Sequence, residues 1–305
     1  MKTIRAFSPG HITGFFQICD EAENLLERGS RGAGVSVSKG VTTVVEVNPA
    51  PSTSIRIEIN GNPNYEAPVS ESTISHFLKH EPKQNYDIRV NHEADLPIGS
   101  GFGTSGAGAL SLALALNEVL ELGFSKEKTA QIAHIVEVEH RTGLGTVIAE
   151  LFGGIEIRSA AGGPGFGKVE ILPSSDEYKV VCLPFGSIPT PKHLSNPTSR
   201  KRINERGGLL TDALRGNPTV KNFLEYSRYF AEHIGIITKR VNAVLKDADE
   251  AGFVCSTAIF GENAFSLVLP DDVHELVTIF EPHQIPENEV LVMDIDCKGA
   301  RVLNA

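Results

Sequence analysis

An α+β fold is what the sequence predicts, and three observations carry that reading. Strand-like segments in the first half follow one another mostly without crossover helices. The second half mixes helical with strand-like segments. No fixed-period repeat runs through the 305 residues, whereas an alternating α/β barrel would need a strand–helix repeat throughout. A chain of this length holds one large domain or two ordinary ones. A change of texture near residues 172–186 divides it into two expected lobes, 1–175 and 176–305.

Strands are expected first at residues 4–7, 35–47, 55–60 and 86–90. Each combines β-branched residues with polar alternation, as in Ile55-Arg56-Ile57-Glu58-Ile59, which is the period of a half-buried strand. Asn60-Gly61 is a turn pair. Helices follow at 104–122 and, behind Ser125 as N-cap, at 126–141, where Gly143 and Gly145 stop the second. A strand at 154–158 leads into the loop Gly162-Gly163-Pro164-Gly165-Phe166-Gly167, and strands at 169–172 and 179–184 come next. From 196 to 246 the texture is helical, with Pro197 and Pro218 as helix starters. The chain then reads as strands at 253–260 and 264–269, a helix at 271–280 and a strand at 289–294.

Composition narrows the function classes. Hydrophobic residues make up 41% and charged residues 22% of the chain, as in globular proteins. No apolar run reaches the roughly 18 residues of a membrane span. The first nine residues lack the apolar core of a signal peptide, so the first strand is expected to belong to the mature fold. A net charge of -10 argues against a broad nucleic-acid surface. The one basic cluster, Arg200-Lys201-Arg202 with Arg206, reads as a solvated helix face or a contact to an anionic ligand. Cys19, Cys182, Cys255 and Cys297 form no CxxC pair and fit a cytoplasmic chain.

The most informative stretch is Leu96-Pro97-Ile98-Gly99-Ser100-Gly101-Phe102-Gly103-Thr104-Ser105-Gly106, followed at once by an apolar helical run. Glycines let backbone N–H groups turn toward an anion, and a helix start adds partial positive charge. The plain alternative is a flexible surface loop. Gly101 to Gly106 literally satisfies a dinucleotide fingerprint, but residues 92–97 intervene between the strand and the glycines. No Gly-Lys-Ser/Thr follows, which excludes a P-loop.

Two further motifs accompany it. Ser8-Pro9-Gly10-His11-Ile12-Thr13-Gly14 predicts a sharp turn that leaves His11 and Thr13 facing a cleft; an ordinary surface turn is the alternative. On the second helix His134, Glu137 and Arg141 share one face. A carboxylate there suits magnesium, which takes one or two protein oxygens, here Glu137 and the Ser105 hydroxyl. An exposed acid paired with Arg141 is the alternative for Glu137, and a satisfied structural histidine for His134. His76 and His80 lack a third zinc ligand, and Gly103-Thr104-Ser105-Gly106 lacks the spacing of a nucleophile elbow.

The glycine loop resembles the phosphate loop of the GHMP kinases. With residues 8–16, Gly29 to Val35 and the stretch from Glu137 to Gly145, the resemblance extends to the archaeal pantoate kinases within that superfamily. It implies a two-lobed fold, an N-terminal ribosomal-protein-S5-like lobe and a C-terminal ferredoxin-like lobe. It also implies transfer of the γ-phosphoryl group of ATP to the 4-hydroxyl of pantoate in coenzyme A synthesis. Carried over by position, Pro97, Gly99, Gly101, Gly103, Thr104, Ser105 and Gly106 would hold ATP, and Ser105 and Glu137 would hold Mg2+. Ser30, His134, Arg158 and Thr190 would bind pantoate, with His11 facing the same cleft. Arg158 suits a carboxylate because a guanidinium grips it in bidentate fashion. Where the family carries a catalytic Asp, this chain has Thr146, which cannot serve as a base near neutral pH. The alternatives are another GHMP small-molecule kinase or a slow, nucleotide-binding homologue. Ser256 to Phe265 falls at the superfamily's third glycine motif, and a symmetric dimer is expected for an enzyme of this size.

Overall fold

The structure, a computed structural model, describes residues 2–81, 84–173, 175–187, 196–286 and 288–303. Its chain runs β1 (Lys2–Cys19), β2 (Gly29–Pro49), β3 (Ser54–Ile59), α1 (Pro68–Leu78), β4 (Tyr86–Ala94), α2 (Thr104–Val119), α3 (Lys126–His140), α4 (Thr146–Phe152), β5 (Ile155–Ala160), β6 (Lys168–Ile171) and β7 (Lys179–Ser187). The remainder is α5 (Pro197–Gly216), α6 (Val220–Ile234), α7 (Lys239–Glu250), β8 (Gly261–Val268), α8 (Val273–Phe280), β9 (Leu291–Asp294) and β10 (Arg301–Leu303). The α+β expectation holds. No helix among the described residues is long and apolar enough to cross a membrane.

The large sheet has the order β10-β1-β2-β4-β3, with β5 on β2 and β6 on β5. Its pairings are antiparallel except for β3 on β4. The 21-residue β2 serves two neighbours: its start pairs with β5 and its end with β4. A second sheet has the order β8-β7-β9.

Three differences from expectation have clear causes. The sharp turn at Ser8 to Gly14 is instead continuous strand, with a register shift between Pro9 and Gly10. A bulge accommodates a proline that has no N–H to give the ladder. The expected strand at 253–260 is reduced to one bridge, Ser256 to Phe265. Its backbone is satisfied otherwise: Asn263 Oδ1 accepts from the Ala258 amide, and the Thr13 carbonyl from the Ile259 amide. Two helices lie outside the sequence reading. Pro68 begins α1, which buries Ser70, Thr73, Ile74 and Phe77; α4 occupies the interval between Gly145 and Gly153.

Apolar packing joins the layers. Phe15 of β1 lies 6.3 Å from Phe223 and 6.4 Å from Phe230 of α6, centroid to centroid. Phe265 of the second sheet joins the same cluster. The opposite face of the large sheet packs on α1, α2 and α3, and α2 is buried along nearly its whole length. A third cluster seats α7 and α8 against the second sheet.

Candidate active site

The glycine loop connects β4 to α2. Leu96 and Phe102 are buried in the core and pin it. Between them the backbone adopts φ of +80° at Gly99 and +86° at Gly101, and Gly103 ends the loop at +65° as the N-cap of α2. Left-handed backbone of this kind is open to glycine at little steric cost. The Phe102 carbonyl accepts from the His11 amide at 2.8 Å, and the Ser100 carbonyl from Asn263 Nδ2 at 2.9 Å. A Cβ on Gly101 would lie 2.9 Å from Ala258 Cβ, so Ser256 to Phe265 does pack beside the loop.

A cavity of about 380 Å³ opens there. Gly99, Gly101, Gly103, Thr104, Ser105 and Gly106 line one wall, and His11, Ser30, Glu137, Thr146 and Arg158 line others. Ile59, Tyr65, Pro68 and Ile98 add apolar surface to its lining. Pro97 and His134 are not among the lining residues. The His134 ring lies under Gly163, and its Nε2 is 2.9 Å from the Arg28 carbonyl oxygen. Burial holds its imidazole below the usual range. Thr190 lies outside the described residues.

Glu137 is buried at the base of the cavity. Ser105 and Thr142 hydroxyls both donate to its Oε1, each at 2.6 Å. Burial pushes this carboxyl above the usual range, and those two hydrogen bonds pull it back. Gly143 and Gly145 pass so close that side chains would collide. A Cβ on Gly143 would be 2.5 Å from Glu137 Oε2, and one on Gly145 would be 2.2 Å from Ser30 Oγ and 2.8 Å from Arg158 Nε.

Two buried carboxylates escaped the sequence reading. Glu156 pairs with both Arg158 and His11. Glu150, one turn after Thr146, lies beneath the start of α2 with neither oxygen hydrogen-bonded. Its carboxyl is raised well above the usual range, by burial first and then by the neighbouring Glu137 and Glu156. A signal was available: Glu156 and Arg158 alternate within Ile155-Glu156-Ile157-Arg158, charges on one face of an otherwise apolar strand.

Residues 69–154 match the family model for the N-terminal domain of GHMP kinases, a span that contains the glycine loop, Glu137 and Thr146. Fold and site together define a small-molecule kinase of the GHMP class. A pantoate kinase of Methanocaldococcus jannaschii is 35% identical over 280 residues, 90% of this chain and 96% of that relative. One from Thermococcus kodakarensis is 33% identical over 288 residues, 93% of each chain. A solved structure described as a phosphotransferase related to the CoA biosynthesis pathway superposes with a TM-score of 0.89 at 30% identity, covering 99% of this chain and 98% of that one. The chain belongs to the pantoate kinase family.

Proposed function

We propose that the protein transfers the γ-phosphoryl group of ATP to the 4-hydroxyl of pantoate. The observation that carries this reading is the cavity itself, which joins an anion-accepting glycine loop to a buried arginine. The loop amides and the α2 start suit a triphosphate. The apolar surface at Tyr65 and Ile98 suits a flat base. Arg158 and Ser30, which meet at Gly145, suit the carboxylate and hydroxyls of pantoate.

A divalent cation fits this set of donors. Ser105 Oγ and Glu137 Oε1 already converge at 2.6 Å, and Gly143 leaves Glu137 Oε2 unobstructed by any side chain of its own. Ser105 and Glu137 would hold Mg2+ there, and the ion would supply neutralisation of the phosphate charge. The division into an N-terminal lobe, 1–175, that holds the nucleotide and a C-terminal lobe, 176–305, belongs to the same proposal. Phosphoryl transfer depends chiefly on positioning and charge neutralisation, so a threonine at position 146 is compatible with turnover.

The test is direct. Purified protein with Mg2+, ATP and pantoate should release ADP and yield 4-phosphopantoate, while homoserine and mevalonate yield no product. ADP release driven by another hydroxy compound, with none from pantoate, would move the chain to a different acceptor. ATP binding without turnover on any acceptor would make it a nucleotide-binding homologue.

A further inference from the structure

We propose that His11 is the proton acceptor for the incoming hydroxyl, with Glu156 as the positioning residue that holds it in the required tautomer. The inference rests on the reading of this cavity as the site of hydroxyl phosphorylation. Its geometry comes from three adjacent strands. Gly34 of β2 pairs with Thr13 on one side and Glu156 on the other. A Cβ at Gly34 would fall 2.3 Å from His11 Nε2 and 2.5 Å from Cε1. The missing side chain is therefore the gap through which the His11 ring crosses β2 to reach Glu156.

The contact is close and dry. His11 Nε2 lies 2.9 Å from Glu156 Oε1, with the two side chains 1% and 0% exposed. The same carboxylate oxygen is also paired with Arg158. Glu156 Oε1, which the Arg158 guanidinium also engages, serves as the acceptor, so in the proposed tautomer Nε2 carries the imidazole proton and Nδ1 keeps its lone pair. Nδ1 faces the Thr13 hydroxyl at 3.3 Å, and both His11 and Thr13 line the cavity. A histidine base backed by a carboxylate also occurs in hydrolase triads, but here the two ring nitrogens exchange roles and there is no protein nucleophile.

Its placement suits the reaction. The His11 amide is tied to the Phe102 carbonyl, and His11 Cβ would lie 3.3 Å from a Cβ on Gly103. The root of the His11 side chain thus stands beside Gly103, the N-cap of α2, while its ring reaches past Gly34. In the transfer step the acceptor oxygen forms its bond to the γ-phosphorus, and the bond from that phosphorus to the β–γ bridging oxygen breaks. The electron pair leaves with ADP. The hydroxyl proton passes to Nδ1, either directly or through Thr13, which takes it while giving its own proton to Nδ1. The imidazolium so formed faces Glu156, and its proton returns to solvent after product release. The other charged groups around it are Arg158 from β5 and the Glu150 carboxyl from α4.

Kinetics on the acceptor that the wild-type protein uses provide one arm of the test. Protonation of Nδ1 removes the acceptor, so wild-type kcat should fall as the pH is lowered. His11→Gln should lower kcat about 100-fold, the usual scale of general-base help, abolish that acid limb and leave ATP affinity unchanged. Glu156→Gln, which keeps the volume, should lower kcat about tenfold and move the limb to lower pH. An unchanged acid limb in His11→Gln, or kcat within threefold of wild type, overturns the proposal. The second arm uses the unmodified protein: 15N NMR of labelled histidine should show His11 as the Nε2–H tautomer, and an Nδ1–H tautomer overturns the proposal even if the variants do not fold. That measurement needs no acceptor, so failure of the pantoate reading is distinguishable from failure of this one.

Discussion

Glu137 shows how a carboxylate can be buried and still be available for the proposed cation. A carboxylate removed from water is unfavourable unless hydrogen bonds or a cation compensate. Here Ser105 and Thr142 supply two short hydrogen bonds to one oxygen, while the other oxygen faces Gly143. Glu137→Gln keeps the volume and removes the charge. It should lower kcat with Mg·ATP by more than about 100-fold, beyond the 10–100-fold loss typical of groups behind a metal ligand. The melting temperature should stay near that of wild type. Activity within tenfold of wild type would remove Glu137 from the cation site. The sequence pointed to Glu137 through its helical face, but it offered no hint that Thr142 would share the carboxylate.

At the scale of elements, the junction of the glycine loop with α2 and α4 decides the shape of the site. Gly103 combines a φ of +65° with a place where a Cβ would lie 2.6 Å from Thr146 Cγ2 and 2.8 Å from Glu150 Oε1. Gly123 has a similar φ of +69° with nothing within 4 Å. The pair separates backbone strain from collision. Gly123→Ala should cost about 1–2 kcal/mol of stability, the usual penalty for a side chain in left-handed backbone, and leave ATP affinity intact. Gly103→Ala should lose more stability and weaken ATP binding at least tenfold by isothermal titration calorimetry. Equal ATP affinity in the two variants would mean that the α2–α4 contact does not shape the nucleotide wall. From sequence the loop was legible as a cradle. Helix α4 was not, because the glycines around it read as stops and its seven residues are too short for a clear period.

Over the whole molecule, cohesion comes from elements distant in sequence. Strand β10, at the far end of the chain, pairs with β1, and the Phe15, Phe223 and Phe265 cluster ties the two sheets together. A buried polar network adds a pH dependence. His92 of β4 bonds Thr43 of β2 at 2.8 Å through Nδ1 and Ser70 of α1 at 3.0 Å through Nε2, and Thr43 continues to Ser111 of α2 at 2.6 Å. Burial lowers the His92 imidazole to about 4. Between the ordinary histidine range near 6.5 and that value the unfolded chain binds the extra proton, so stability rises with pH there. It should be lost as the pH falls through that window, by up to about 1.4 kcal/mol per pH unit from this group. Urea denaturation at pH 7, 6 and 5 measures the slope, and His92→Gln should flatten it; equal slopes would show that His92 does not contribute.

The sequence alone determined what depends on local pattern: the α+β class, the helices α2 and α3 with the Ser125 cap, and the glycine loop. These follow from periodicity, capping and the conformational needs of glycine, which act over a few residues. Tertiary structure decided what depends on strand registry. Only the pairing of β1, β2 and β5 across Gly34 brings His11 to Glu156, and only the fold of α3 moves His134 out of the cavity wall. Local pattern carries no information about which distant side chain fills a buried gap, so those contacts became visible once the sheet was assembled.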